Sequence, residues 1–262
     1  KDPALQPEQL LKAQSERAQT YLAMTRADVD NAAIVPLADP DMPTVVVGSN
    51  GDADVALGTS DVPYRLLRSW ESPGFQDVYL VETATGKRTR IVEKHRGSAS
   101  LSPGAKYVWW WDGDRKAWFA HHVAGGKRTH LTELVPHPVH NELHDLPTPP
   151  TPYGTAGWLE ADKALLVYDR FDIWAVDPES ALPPTCVTDG VGRGKGLRFR
   201  VNRLDFEKDT IGPDDSLLLS FLVDATKAQG FARDKVRGTN PPEILIQGDE
   251  SFGPVRKAEL AD

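Results

Sequence analysis

Polar and apolar positions along this chain alternate in short bursts, and two of the bursts repeat. Residues 77–93, DVYLVETATGKRTRIVE, and 117–133, AWFAHHVAGGKRTHLTE, align without gaps at an offset of 40, with Gly86 over Gly126 and GKRT shared verbatim. In each, a run of aromatic and β-branched residues meets a Thr/Gly turn and a second run follows, which predicts a hairpin. A third copy, DIWAVDPESALPPTCVTD at 172–189, replaces the glycine turn with prolines, and QGFARD at 229–234 is a weaker fourth. Ahead of each hairpin stands a further predicted strand: YRLLRSW (64–70), KYVWWWD (106–112), KALLVYD (163–169) and SLLLSFL (216–222). The predicted unit is a four-stranded antiparallel sheet recurring every 40 to 58 residues.

A unit of that kind, repeated at that period, is a β-propeller blade. A sandwich would show the same turn density without the verbatim repeat. The expectation is an all-β chain of about four or five blades, an incomplete propeller spanning residues 20–262, behind a helical lead-in over 1–19. The lead-in carries Leu10, Leu11 and Ala18 at helical spacing, and TYLAM (20–24) is a candidate first strand. In KYVWWWD, Trp109 and Trp111 share one face of a strand while Val108 and Trp110 share the other. Blade strands are covered on both faces, so the aromatic run predicts core packing rather than a ligand platform. Two segments interrupt the repeat. Residues 134–152 hold six prolines and three histidines and read as an extended insertion, and 189–215 reads as a basic, glycine-rich turn with an irregular link. Blades that do not close a ring leave sheet edges open, which predicts an edge-mediated homodimer.

Charge narrows the partners. Acidic residues outnumber basic ones by 38 to 30, so neither nucleic acid nor an anionic membrane is an expected partner. No apolar run approaches the roughly 18 residues that would span a bilayer. The lone cysteine, Cys186, excludes an internal disulfide and reads as a buried, inert thiol. The chain starts at Lys1 without an initiator Met or signal peptide, as a trimmed or processed piece of something larger would.

Tests for chemistry return no catalytic set, no cofactor cradle and no metal centre. A serine on a nucleophile elbow needs G-x-S-x-G. Ser60 has Gly58 before it but Val62 after it, and Ser251 has Gly253 after it but Asp249 before it. DGVGRGKGL has Asp189 and Gly196 where a P-loop needs Gly and Ser or Thr. Arg193, Lys195, Arg198 and Arg200 form a local basic patch, open to an acidic partner or simply solvated. His137, His140 and His144, with Glu142 and Asp145 nearby, could meet at one ion if their loop folded back, though HNELH is not H-E-x-x-H and the prolines oppose a helix. A polar surface loop is the plainer reading. SNGDADVALG (49–58) imitates a calcium loop until Val55 occupies the place of its turn glycine, and reads as a turn.

Four blocks resemble the propeller portion of large bacterial proteins of the prolyl oligopeptidase family: ALGTSDVPYRLLRSWESPGFQDVYLVETATGKRT, SASLSPGAKYVWWWDGDRKAWFAHHV, PYGTAGWLEADKALLVYDRFDIWAVDP and GVGRGKGLRFRVNRLD. The resemblance runs from about Thr20 to about Arg233, and the YGTAGW…YDRFDIWAVDP block is its most specific part. It implies a propeller that caps an α/β-hydrolase domain and narrows access for peptides. That hydrolase domain, a peptide substrate and a periplasmic or secreted location would belong to the parent serine peptidase. No catalytic residue carries over, because none here matches a catalytic motif of the family. The other reading is a stand-alone propeller that scaffolds proteins.

Overall fold

The computed structural model describes residues 5–48, 51–205, 207–238 and 240–258. After the helix α1 (Gln6–Arg17), whose first turn holds a proline where no N–H is needed, the chain is built of strands. These are β1 (Ala23–Met24), β2 (Val35–Pro36), β3 (Thr44–Val47), β4 (Val55–Ser60), β5 (Phe75–Glu82), β6 (Arg88–Arg96), β7 (Ala99–Leu101), β8 (Tyr107–Asp112), β9 (Ala117–His122) and β10 (Arg128–His130). Then come β11 (Thr155–Leu159), β12 (Leu165–Tyr168), β13 (Ile173–Val176), β14 (Thr185–Cys186), a short helix α2 (Val191–Lys195), β15 (Leu197–Asn202), β16 (Thr210–Ile211), β17 (Ser216–Val223), β18 (Gln229–Lys235) and β19 (Glu243–Gly248). They form propeller-type blades, in the orders β3-β4-β5-β6, β10-β9-β8-β7, β14-β13-β12-β11-β16 and β15-β17-β18-β19, beside a two-stranded β1-β2 sheet.

Two compact units divide the chain. One runs up to Asp112 and takes in Ala120–Arg128; the other holds Gly113–Phe119 and everything from Thr129 on. In the first, Leu37, Met42, Ala56 and Val81 form a buried cluster with Met24, Val45 and Tyr79 against it. In the second, strands of the third and fourth blades share one larger core, with Leu166, Ile173, Phe199, Leu219 and Ala232 wholly enclosed. Burial of this kind contributes about 25 cal/mol for each Å² of apolar surface removed from water.

The repeated hairpins are where the sequence places them, and the turn explains the repeat. Gly86 and Gly126 sit at φ 69° and 67°, and their N–H groups donate to the carbonyls of Glu82 and His122, each at 2.8 Å. Only a left-handed residue closes this turn, which favours glycine. The Trp run divides as a strand must: Val108 and Trp110 are buried, while Trp109 and Trp111 on the opposite face are half-buried.

Four expectations need correction. YRLLRSW is not a strand but most of a 3₁₀ helix, Val62–Ser69. Pro63 starts the turn, Asp61 accepts from Arg65 and Arg68 along one side, and the Tyr64 hydroxyl donates to Asp77 at 2.6 Å. The strand ahead of that hairpin is β4, whose first residues had read as the end of a turn; Ser49 and Asn50 lie outside the described residues. The segment 189–200 is not merely a turn, since it contains α2 and the inner strand β15. The third blade has five strands rather than four, because β16 pairs in parallel with β11, Thr210 beside Trp158 and Ile211 beside Leu159.

Candidate functional site

The most specific sequence block and the basic glycine-rich turn meet in the second unit. Between β12 and β13 the chain reverses through Asp169–Arg170–Phe171–Asp172. Asp169 is fully enclosed, and its Oδ1 accepts the backbone N–H groups of Phe171 and Asp172 at 2.6 and 2.7 Å. An Asp at the head of a reversal folds back on its own backbone in this way. Its Oδ2 accepts the Trp174 indole N–H at 3.0 Å and the Arg193 guanidinium at 3.2 Å.

Asp172, 1% exposed, faces the start of α2. Its Oδ1 accepts from Gly192 N–H at 2.9 Å and from the Thr188 hydroxyl at 2.7 Å, and its Oδ2 accepts from Arg193 N–H at 2.9 Å. It therefore satisfies the orphan amides of the helix's first turn from the β12–β13 reversal. Gly192 is required by that approach: a Cβ there would stand 2.6 Å from Asp172 Oδ1 and 2.7 Å from the Phe171 carbonyl oxygen.

The basic patch is thereby absorbed into structure. Arg193 pairs with Asp169, while Arg198 and Arg170 both pair with Asp224, the latter at 2.5 Å. Burial opposes the charge on Asp224, but the Arg170 hydrogen bond and the Arg198 charge outweigh it and hold its carboxyl below the usual range. Arg200 lies over the rings of Tyr168 and Tyr153, 4.5 and 5.8 Å from their centroids, and donates to the Phe199 carbonyl at 2.6 Å. Of the four basic residues, three are engaged, which leaves little of the patch for an acidic partner.

Chemically, this cluster can clamp but has no spare group to react. Its carboxylates are occupied on both oxygens. Cys186, half-buried, accepts the Gly190 N–H at 3.2 Å, and burial together with Asp172 pushes its thiol up, away from thiolate. In the 134–152 insertion the imidazoles go separate ways. His137 lies edge-on to Trp174 at 6.0 Å, His144 Nε2 meets the Thr148 carbonyl at 2.8 Å, and His140 lies in an isolated bridge with Pro152. Among the described residues no group of three or more His, Cys, Asp or Glu is placed to hold a metal ion.

Each unit also carries an open hollow lined by described residues. In the second unit a cleft of about 380 Å³ is lined by Gly157, Asn202, Arg203, Asp205 and the Lys208–Asp215 ion pair. In the first, a groove of about 720 Å³ is lined by Leu80, Glu82, Arg90, His121 and Arg128. Both have the size of small-ligand sites, and both mix charges of either sign. Sequence reasoning missed the cleft, because its walls come from β11, β15, β17 and the 203–211 link together.

No protein-family model and no curated protein matches the chain. Solved structures do align with it. Dipeptidyl peptidase 4 from Porphyromonas gingivalis matches at 12% identity and TM-score 0.45, over 94% of this chain and 42% of that one. A prolyl endopeptidase matches at 13% and 0.39, over 83% and 38%. TolB from Acinetobacter baumannii matches at 12% and 0.34, over 87% and 53%. The chain thus spans about half or less of each of these proteins. With every TM-score below 0.5, these alignments decide nothing about what the chain does.

Proposed function

We propose that this chain is the non-catalytic propeller segment of a prolyl oligopeptidase-like serine peptidase, where it screens peptides on their way to a hydrolase domain elsewhere in the parent protein. The observation that carries the proposal is the interlock of YDRFDIW with GVGRGKGLRFR. Those two blocks bear much of the family resemblance, and here they form one clamp with every carboxylate oxygen of Asp169 and Asp172 accepting a donor. Residues used in that way hold blades together rather than cut bonds. The serines also lack a nucleophile-elbow context, which fits a segment whose chemistry lies in another domain. A periplasmic or secreted location for the parent goes with the same reading. The charged cleft beside Asn202 and the ordered 134–152 loop are the surfaces that would meet peptide.

The second reading, a protein-binding scaffold, draws on the same loop, which is pinned by Asn141 N–H to the Thr151 carbonyl at 2.8 Å yet leaves Leu143 and Leu146 63% and 65% exposed. A fluorophosphonate probe, which reacts with activated serines, separates the two. Applied to this chain and to the native gene product from its source cells, it should label a much heavier native protein and leave this chain unlabelled. No label on either, with a native protein no larger than this chain, would leave the scaffold. Label on this chain would mean a nucleophile within it.

A further inference from the structure

The outer strands of the blades are not alike. β6 is long but carries Arg88, Arg90, Glu93, Lys94 and Arg96. β10 has three residues, and β14 has two and follows Pro183 and Pro184. Charge, shortness and proline are the devices by which natural sheets keep open edges from pairing. β19, the outer strand of the fourth blade, has six residues, EILIQG, with one charge. That charge, Glu243, is already paired with Arg233 at 2.9 Å. Ile244, Leu245 and Ile246 are 40%, 46% and 49% exposed, three consecutive apolar side chains on a strand whose residues alternate between faces. Pro241 and Pro242 stand just before the strand, outside its six residues, and a bulge at Leu245, between the Ala232–Ile244 and Phe231–Ile246 pairs, adds twist without adding charge. Among the described residues no strand pairs with the outer side of β19.

We propose that β19 is a pairing edge and that its occupant is β19 of a second copy of this chain. The strand is complementary to itself in the antiparallel sense. A two-fold axis through Leu245 sets Ile244 opposite Ile246 and Glu243 opposite Gln247, so apolar residues meet and no like charges face each other. A parallel, in-register pair would set Glu243 against Glu243. Antiparallel pairing makes the contact isologous, so it closes at two chains instead of growing into a fibre. The proposal concerns this edge alone and does not depend on the peptidase reading.

The test is the mass of this chain by light scattering, from low micromolar to several hundred micromolar, for wild type, Leu245→Lys, Ile246→Lys and, as a control on another exposed leucine, Leu143→Lys. Wild type and Leu143→Lys should dimerise with rising concentration, and both edge variants should weaken the dimer by about tenfold or more. All substituted side chains are exposed, so circular dichroism should show unchanged folding. Hydrogen exchange at amides 243–248 of the wild type should slow as concentration rises, which reads the same edge without any substitution. A wild type that stays monomeric throughout overturns the proposal. So does a dimer that survives both edge variants with no concentration-dependent protection at β19.

Discussion

Of the places where the second unit buries aspartate, the β12–β13 reversal and β18 do opposite things with it. At the reversal between β12 and β13, Asp169 and Asp172 are enclosed, and each of their four oxygens accepts at least one donor. On β18, Asp234 is nearly as enclosed, at 6% exposure. Its Oδ1 accepts the neighbouring Lys235 N–H at 2.7 Å, but its Oδ2 has no partner. Burial, with the negative charge of Asp189 added, pushes the Asp234 carboxyl up to about 6. A buried carboxylate that collects donors becomes a joint between elements. One left half-satisfied becomes a group that prefers its proton.

The largest test of that contrast is Asp172→Ala. It strands the amides of Gly192 and Arg193 and the Thr188 hydroxyl in a buried place, each at the cost of an unmade hydrogen bond. The loss should be about 3–5 kcal/mol, at about 1–3 kcal/mol for each buried donor left unmet. Urea denaturation reads it, and hydrogen exchange at amides 192 and 193 should rise before the rest of the unit opens. If those amides keep their protection, Asp172 is not what holds α2.

Next is Gly192→Ala, which leaves every polar partner in place and adds only a methyl. Two of the atoms it meets within 3 Å are backbone carbonyl oxygens, of Phe171 and Leu197, so relief requires the chain to move. A loss of about 2–3 kcal/mol is expected, in the range of overpacking. A neutral result would mean that the approach of α2 to the Asp169–Asp172 reversal is looser than 2.6 Å implies.

How far this was legible in the sequence depends on where the information sits. Hairpins closed by Gly86 and Gly126 are local, and their turn residues mark them. The same hydrogen-bond geometry closes the β17–β18 turn, where Lys227 at φ 66° donates to the Val223 carbonyl, but with lysine in the glycine's place the repeat is hidden. YRLLRSW misled because Leu66 and Leu67 suit a strand as well as a helix. The signal was Pro63 together with the four-residue spacing of Asp61 and Arg65. GLRFR was obscured by the glycines before it, although Leu197, Phe199 and Val201 alternate with Arg198 and Arg200 as a strand should. The clamp could not be read at all: Asp172 finds its partners 16 to 21 residues away, at positions only the packed blades bring together. β16 likewise exists only because β11 offers an edge.

The smallest effect is also the one whose size is set by pH. The Asp234 carboxyl titrates near 3.8 in an unfolded chain and at about 6 when folded. Between those values the folded state binds more proton than the unfolded state, so this group lowers stability as pH rises through the window. Its penalty is absent below about pH 4 and complete above pH 6 to 7. Asp234→Asn keeps the size and abolishes the charge. It should stabilise the second unit by about 1–2 kcal/mol at pH 8 and by little at pH 4. Asp224 slopes the other way, since its lowered carboxyl contributes stability above the unfolded value and loses it as pH falls through the folded one. Urea midpoints for wild type and Asp234→Asn should therefore diverge from pH 4 to pH 7 and run parallel above it. Parallel curves across the whole range would mean that water or a shifted side chain already satisfies Oδ2, and that Asp234 is a third joint like Asp169 and Asp172.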